Sequence, residues 1–234
     1  MKFRHELKHL INYREHALIR LKLQSLLSFD ANTDADGSYF VRSLYFDDMY
    51  NTAYNDKYAG VQNRTKYRIR IYNNSDKTIN LEQKNKRGSY NLKQTARMTK
   101  EQVYGVLDGN YEVLLQDSNN LLGVFYHECV SKMMRPRVIV DYEREPYIME
   151  AGDVRITFDK HIRAGAENFD IFDPDLPTVE TLDPGLLVLE VKFTEFLPNI
   201  LRKILPLNTS AEYDAISKFI LCCDKTNHIR NSHY

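Results

Sequence analysis

Hydrophobic and polar positions alternate with a period of two along much of this chain, the pattern of strands with one buried face. In residues 2–11, Phe3, Leu7 and Ile11 fall on one side and Arg4, Glu6 and Lys8 on the other. Tyr39–Phe46 reads as a second strand, with bulky residues on both faces. Between 64 and 73, Thr65, Tyr67, Ile69 and Ile71 alternate with Lys66, Arg68 and Arg70. Asn73–Asp76 is a turn, and Thr78–Lys86 returns as the other half of an antiparallel hairpin. On it, Ile79 and Leu81 face one way and Glu82, Lys84 and Lys86 the other; a shorter strand containing Lys93 follows. Three more strands are predicted. Arg137–Glu145 carries Val138, Val140 and Tyr142, then Arg144. Asp153–His161 sets Val154, Ile156 and Phe158 against Arg155, Thr157 and Asp159. Leu186–Phe193 sets Leu187, Leu189, Val191 and Phe193 against Glu190 and Lys192.

Helical periodicity and capping residues fill the intervals. Asn12 with Glu15 is a capping-box pattern, opening a helix that carries Leu18, Leu21, Leu23, Leu26 and Leu27 to about Ser28. A helical turn spans 52–58, and Thr99 with Gln102 opens a helix to about Leu107. A further helix over 118–133, with Leu121, Leu122, Phe125, Cys129 and Val130, is expected to be broken by Pro136. Residues 166–185, acidic and interrupted by Pro174, Pro177, Pro184 and Gly185, read as a loop. Pro198 starts a short helix to Leu205, and Ser210 with Glu212 and Asp214 opens a last helix through Ile216, Phe219 and Ile220. The reading is one domain over 1–224 and a polar tail over 225–234, without internal repeats.

Composition narrows the function classes. The 234 residues are 43% hydrophobic, as in ordinary globular proteins, and 32 basic residues balance 32 acidic ones. No global field draws such a chain to nucleic acid or anionic lipid. Any polyanion site must come from local segregation of charge. Cys129, Cys222 and Cys223 are a poor disulfide framework and read as buried small hydrophobes in a reducing compartment. The charged start lacks the apolar core of a signal peptide, and no apolar run approaches the ~20 residues of a bilayer span, so a cytoplasmic location is expected. No Cys/His metal spacing, Walker loop or nucleophile elbow is present.

The ionic faces are the unusual feature. Like charges side by side on a strand repel, yet Lys66, Arg68 and Arg70 line one face with no acid between them. Glu6/Lys8, Glu82/Lys84/Lys86, Arg144, Arg155 and Glu190/Lys192 mark other strands in the same style. A solvated strand face explains any one of these, but not the set. If the roughly eight strands close into a barrel, alternate residues point into its lumen. A cationic lumen is untenable when empty and sensible around a chain of phosphates. The fold class expected is α+β, a closed antiparallel β-barrel with helices packed outside its apolar face.

Taken in order, Glu6-Leu-Lys8, Tyr45-Phe-Asp47, Lys66-Tyr-Arg-Ile-Arg-Ile-Tyr72, Leu81-Glu-Gln-Lys84, Arg144 after an aromatic, Val154-Arg-Ile-Thr-Phe-Asp159, Leu189-Glu-Val-Lys-Phe193 and Ser217-Lys-Phe219 resemble the VTC domain. That is the catalytic domain of the vacuolar transporter chaperone complex, one of the CYTH-like triphosphate tunnel metalloenzymes. The resemblance implies a β-tunnel that binds ATP, triphosphate or polyphosphate and builds inorganic polyphosphate from the γ-phosphate of ATP. It implies phosphate-binding roles for Lys8, Arg68, Arg70, Lys84, Arg144, Arg155 and Lys192, and Glu190 as main ligand of Mn²⁺ or Mg²⁺. Catalysis would fall to Arg68, Arg70, Lys84 and Glu190. Glu6 and Glu82 are further acids for the metal, Lys66, Lys86 and Lys93 belong to the wall or rim, and Lys218 matches a lysine on the helix at one tunnel end. Ala215 stands where the eukaryotic polymerase has a second lysine. The membrane and phosphoinositide-binding domains of the eukaryotic proteins have no counterpart here, so the resemblance is to a free-standing, bacterial-type version, with a separate membrane protein as a candidate partner. Triphosphate hydrolysis, or polyphosphate or nucleotide sensing without turnover, are the alternatives, and the residues do not choose among them.

Overall fold

A computed structural model describes residues 5–30, 33–88, 90–165, 167–206 and 216–231. Ten strands, six α-helices and one 3-10 turn occur among them, in the order β1 (His5–Asn12), α1 (Tyr13–Gln24), β2 (Ser28–Phe29), β3 (Tyr39–Asp47), α2 (Thr52–Tyr58), β4 (Arg64–Tyr72), β5 (Ser75–Arg87) and β6 (Tyr90–Arg97). Then come α3 (Lys100–Leu107), the 3-10 turn (Tyr111–Gln116), α4 (Asn120–Ser131), β7 (Arg135–Met149), β8 (Val154–Gly165), β9 (Val179–Glu180), β10 (Leu186–Phe193), α5 (Asn199–Ile204) and α6 (Lys218–Asn231). The strand order is β1-β10-β8-β7-β3-β4-β5-β6, with β2 on β7 and β9 on β8. This is a mixed α/β architecture on an antiparallel sheet. Among the described residues the order has two ends, β1 and β6, so hydrogen bonding does not close it into the barrel expected from the sequence.

The chain divides into two compact units. In the unit made of 1–40, 142–162 and 182–217, β1, β10 and β8 present Ile11, Val154, Ile156, Phe158, Leu187, Leu189 and Val191 to a core closed by Ile19 and Leu23 of α1 and Leu201 of α5. Asn12 and Glu15 form the expected capping box. The leucines of α1 divide differently from expectation. His16, Ile19 and Leu23 are its buried stripe, whereas Leu18 and Leu21 are exposed, and the helix ends at Gln24.

In the unit made of 41–141, 163–181 and 218–234, β3 to β6 bury Leu44, Phe46, Tyr67, Ile69, Ile71, Ile79, Leu81 and Ala96. The cover is Val103 and Val106 of α3, Leu114, and Leu121, Leu122, Phe125 and Cys129 of α4. Thr99 and Gln102 cap α3 reciprocally, as read. Helix α4 stops at Ser131, before Pro136 can act; Met133 turns the chain in left-handed backbone (φ 51°), and Pro136 lies inside β7. The loop after β8 is tied down by a residue with no obvious local signal. Arg42, on the core side of β3, forks onto Asp141 (3.0 and 2.9 Å) and donates to the carbonyl of Asp173.

Helix α6 runs on to Asn231, through residues read as a polar tail. Polar partners hold it. Thr226 is buried with its hydroxyl 3.0 Å from the carbonyls of Cys222 and Cys223, Tyr54 donates to Asp224 (2.6 Å), and Arg137 donates to Asn227 (2.7 Å). The helix start proposed at Ser210, with Glu212, Asp214 and Ala215, lies outside the described residues, as do Phe3 and Arg4.

Candidate functional site

The hairpin register stacks charges in rows. Arg70 pairs with Ser43 on β3 and Asn80 on β5; Arg68 pairs with Tyr45 and Glu82; Lys66 pairs with Lys84, which pairs with Lys93 on β6. Because cross-strand partners share a face, Arg64, Lys66, Arg68, Arg70, Lys84, Lys86, Lys93 and Arg97 all stand on the face opposite the core, and Glu82 is the one acid among them between Arg64–Arg70, Asn80–Lys86 and Lys93–Arg97. Glu82 is 2% exposed and fully engaged. Arg68 reaches one carboxylate oxygen through Nε (2.7 Å) and Nη2 (2.6 Å), and Lys93 reaches the other (2.9 Å). Burial alone would raise its pKa; Arg68, Arg70 and Lys93 outweigh burial and hold it well below the usual carboxylate range. Arg68 also donates to the hydroxyl of Tyr45 (2.6 Å), which the Tyr45-Phe-Asp47 motif had marked without a role, and Arg70 Nε donates to Ser43 (2.9 Å), which the sequence pattern did not single out.

Lys66 is the charge least at ease. Part of its surface reaches solvent, but its ammonium sits 4.2 Å from the ring centre of Phe219, and no ion pair holds it among the described residues. Burial, then Lys57 and Arg64, push its pKa well below the ordinary lysine value, and Lys84 adds to the effect. Phe219, which also packs on Tyr45 (5.1 Å), places the start of α6, and with it Lys218, at this end of the face. The three thiols are buried, and burial pushes Cys129 and Cys223 up to about 12, as fits packing residues.

The other unit carries a different charge balance. On its polar face Glu6 is in register with Lys192, Lys8 with Glu190, Lys192 with Arg155 and Glu190 with Thr157. Lys8 pairs with Glu6 (2.7 Å) and Lys192 with Glu190. Arg144 forks onto the fully buried Asp159 (2.7 and 2.8 Å), and Arg155 meets Asp30 (2.9 Å) and the Tyr39 hydroxyl (3.0 Å). Burial would weaken the Arg144 cation, but Asp159 holds its pKa well above the ordinary value. Each basic residue expected on phosphate here thus has an acidic neighbour, whereas the β4–β6 face has a large cation excess. Asp159 was legible as the end of an alternating strand; its role was not, because only β7 beside it supplies Arg144.

On the apolar side of the same unit, buried Glu145 collects His16 (3.1 Å), Arg20 (2.8 Å) and the Tyr147 hydroxyl (2.5 Å), with Lys160 at 3.5 Å. Burial raises its pKa, but the bonds from His16 and Tyr147, with Arg20 beside them, lower it to about 2. This network joins α1 to β7 and was not foreseen.

The donor set fits a phosphate-bridged cation better than a protein cage. No group of three or more acid, His or Cys side chains gathers among the described residues. Glu190, 4% exposed, and Glu6 occupy diagonal positions of one face, and beside Glu190 the buried Thr157 hydroxyl has no hydrogen-bond partner among the described residues. Mg²⁺-type sites commonly use one or two carboxylates, with phosphates and waters completing the shell. Glu82, with both oxygens on Arg68 and Lys93, does not contribute such a ligand in this arrangement.

A putative adenylyl cyclase from Hippeastrum, described as having dominant triphosphatase activity, superposes with a TM-score of 0.51 at 15% identity, over 83% of this chain and 80% of that one. A putative adenylate cyclase from Bacillus halodurans gives 0.49 at 10% identity, over 84% and 81%. No curated protein matches the sequence. The VTC domain family matches residues 3–227, and the chain belongs to that family. Among the described residues, no helix is long and apolar enough to cross a membrane.

Proposed function

We propose that this protein is a metal-dependent phosphotransferase that binds ATP in a cationic β-tunnel and builds inorganic polyphosphate from its γ-phosphate. The observation that carries the reading is the β4–β6 face, where eight cations stand with one fully engaged acid and the Lys66 ammonium is crowded by other cations. Membership of the VTC family directs that polyanion site toward polyphosphate. Arg68 and Arg70 can fork onto phosphate oxygens, and Lys66, Lys84, Lys86 and Lys218 add point charges. In the other unit Lys8, Arg144, Arg155 and Lys192 supply positive charge, with Glu190 and Glu6 as holders of Mn²⁺ or Mg²⁺. Such an ion withdraws charge from the phosphoryl group being transferred. The bond from the γ-phosphorus to the bridging oxygen of ATP breaks, ADP leaves, and a terminal oxygen of the growing chain becomes the new bridge. That acceptor oxygen is already anionic, so the protein needs to position and neutralise rather than supply a strong base.

The test is to incubate purified protein with ATP and Mn²⁺ and resolve the products on gels beside a phosphate assay. Long chains that disappear in Glu190→Ala are expected. Orthophosphate as the sole product would replace this reading with a triphosphatase. Triphosphate binding without turnover would replace it with a sensing module.

A further inference from the structure

On the polar face of β8, Thr157 lies between Arg155 and Asp159, in register with Glu190 of β10. It is 3% exposed, and its Oγ1 is buried without a hydrogen-bond partner among the described residues. A buried hydroxyl left unpaired is unfavourable, and valine would fill the same volume at no such cost. Two positions earlier, Arg155 Nε is buried in the same condition, although the Nη2 of that guanidinium is held by Asp30 and Tyr39. Positions i and i+2 of a strand share a face, and Lys192 flanks the pair in register with Arg155. Two unpartnered donors beside a lysine are matched by an acceptor-rich anion.

We propose that Thr157 is a phosphate-binding residue: its hydroxyl and Arg155 Nε donate to non-bridging oxygens of one phosphate group of the bound triphosphate. The proposal rests on the triphosphate reading above and adds a residue to it. A hydroxyl is suited to this place because it donates to the phosphate without adding charge next to Glu190.

The experiment is calorimetric titration of inorganic triphosphate into the wild type, Thr157→Val and Thr157→Ser, each with and without Mn²⁺, alongside the melting temperature of each ligand-free protein. Thr157→Val should bind about tenfold more weakly in both conditions, as expected for loss of a hydrogen bond to a charged acceptor. Its ligand-free melting temperature should equal or exceed that of the wild type, and Thr157→Ser should bind close to wild type. Unchanged affinity in Thr157→Val overturns the proposal and leaves the triphosphate reading intact. So does a loss confined to the Mn²⁺ titrations, which would put the hydroxyl on the metal. A melting temperature that falls in Thr157→Val and returns in Thr157→Ser would reveal a structural hydroxyl and also overturn it. A wild type that binds no triphosphate overturns both readings.

Discussion

Glu82 and Glu145 show how differently two buried glutamates can be used. Glu82 anchors Arg68 and Lys93 on the cationic face, whereas Glu145 ties α1 to β7 on the apolar side of the other unit. Because the folded pKa of Glu145 is lowered to about 2, its charge stabilises the fold above the ordinary carboxyl pKa of ~4.3 and loses that contribution as pH falls toward 2. Glu145→Gln should therefore cost on the order of 3 kcal/mol at neutral pH, and its deficit against the wild type should shrink below pH ~4.3. Urea unfolding of both proteins across that range checks the sign. A deficit that grew on acidification would contradict the assignment. The sequence placed Glu145 only at the end of a strand, since His16 and Arg20, which bring α1 onto it, lie more than a hundred residues away in the chain.

At the scale of elements, short-range chemistry was the most legible. The capping boxes at Asn12/Glu15 and Thr99/Gln102 form as read because all their atoms lie within four residues. Thr99→Ala should cost about 1 kcal/mol, measured as a lower urea midpoint with unchanged slope. Strand faces were equally readable, since a period of two needs no knowledge of neighbours. Errors arose where a tertiary partner overrides local preference. The buried stripe of α1 uses His16 in place of a leucine because Glu145 waits beneath it, and the polar end of α6 stays helical because Arg137 and Tyr54 hold it. The short β2 and β9 were missed for the same reason: two-residue strands exist through β7 and β8.

Across the whole molecule, 32 basic and 32 acidic residues cancel, yet the cation excess is concentrated on one face of one unit. Triphosphate binding should therefore weaken markedly as ionic strength rises, with a charge-neutral surface mutation elsewhere having little effect. Titrations over a series of salt concentrations test this; affinity indifferent to salt would count against a site built from these rows. The sequence by itself determined which residues share a strand face, Lys66, Arg68 and Arg70 among them, and where the capped helices start, because these follow from periodicity and from contacts within a few residues. Only the tertiary structure decided which of the charges are compensated. Glu82 with Arg68, Asp159 with Arg144 and Asp30 with Arg155 are pairs made by strand register and chain return, and the spacing of residues along a single strand carries no record of what the next strand brings alongside.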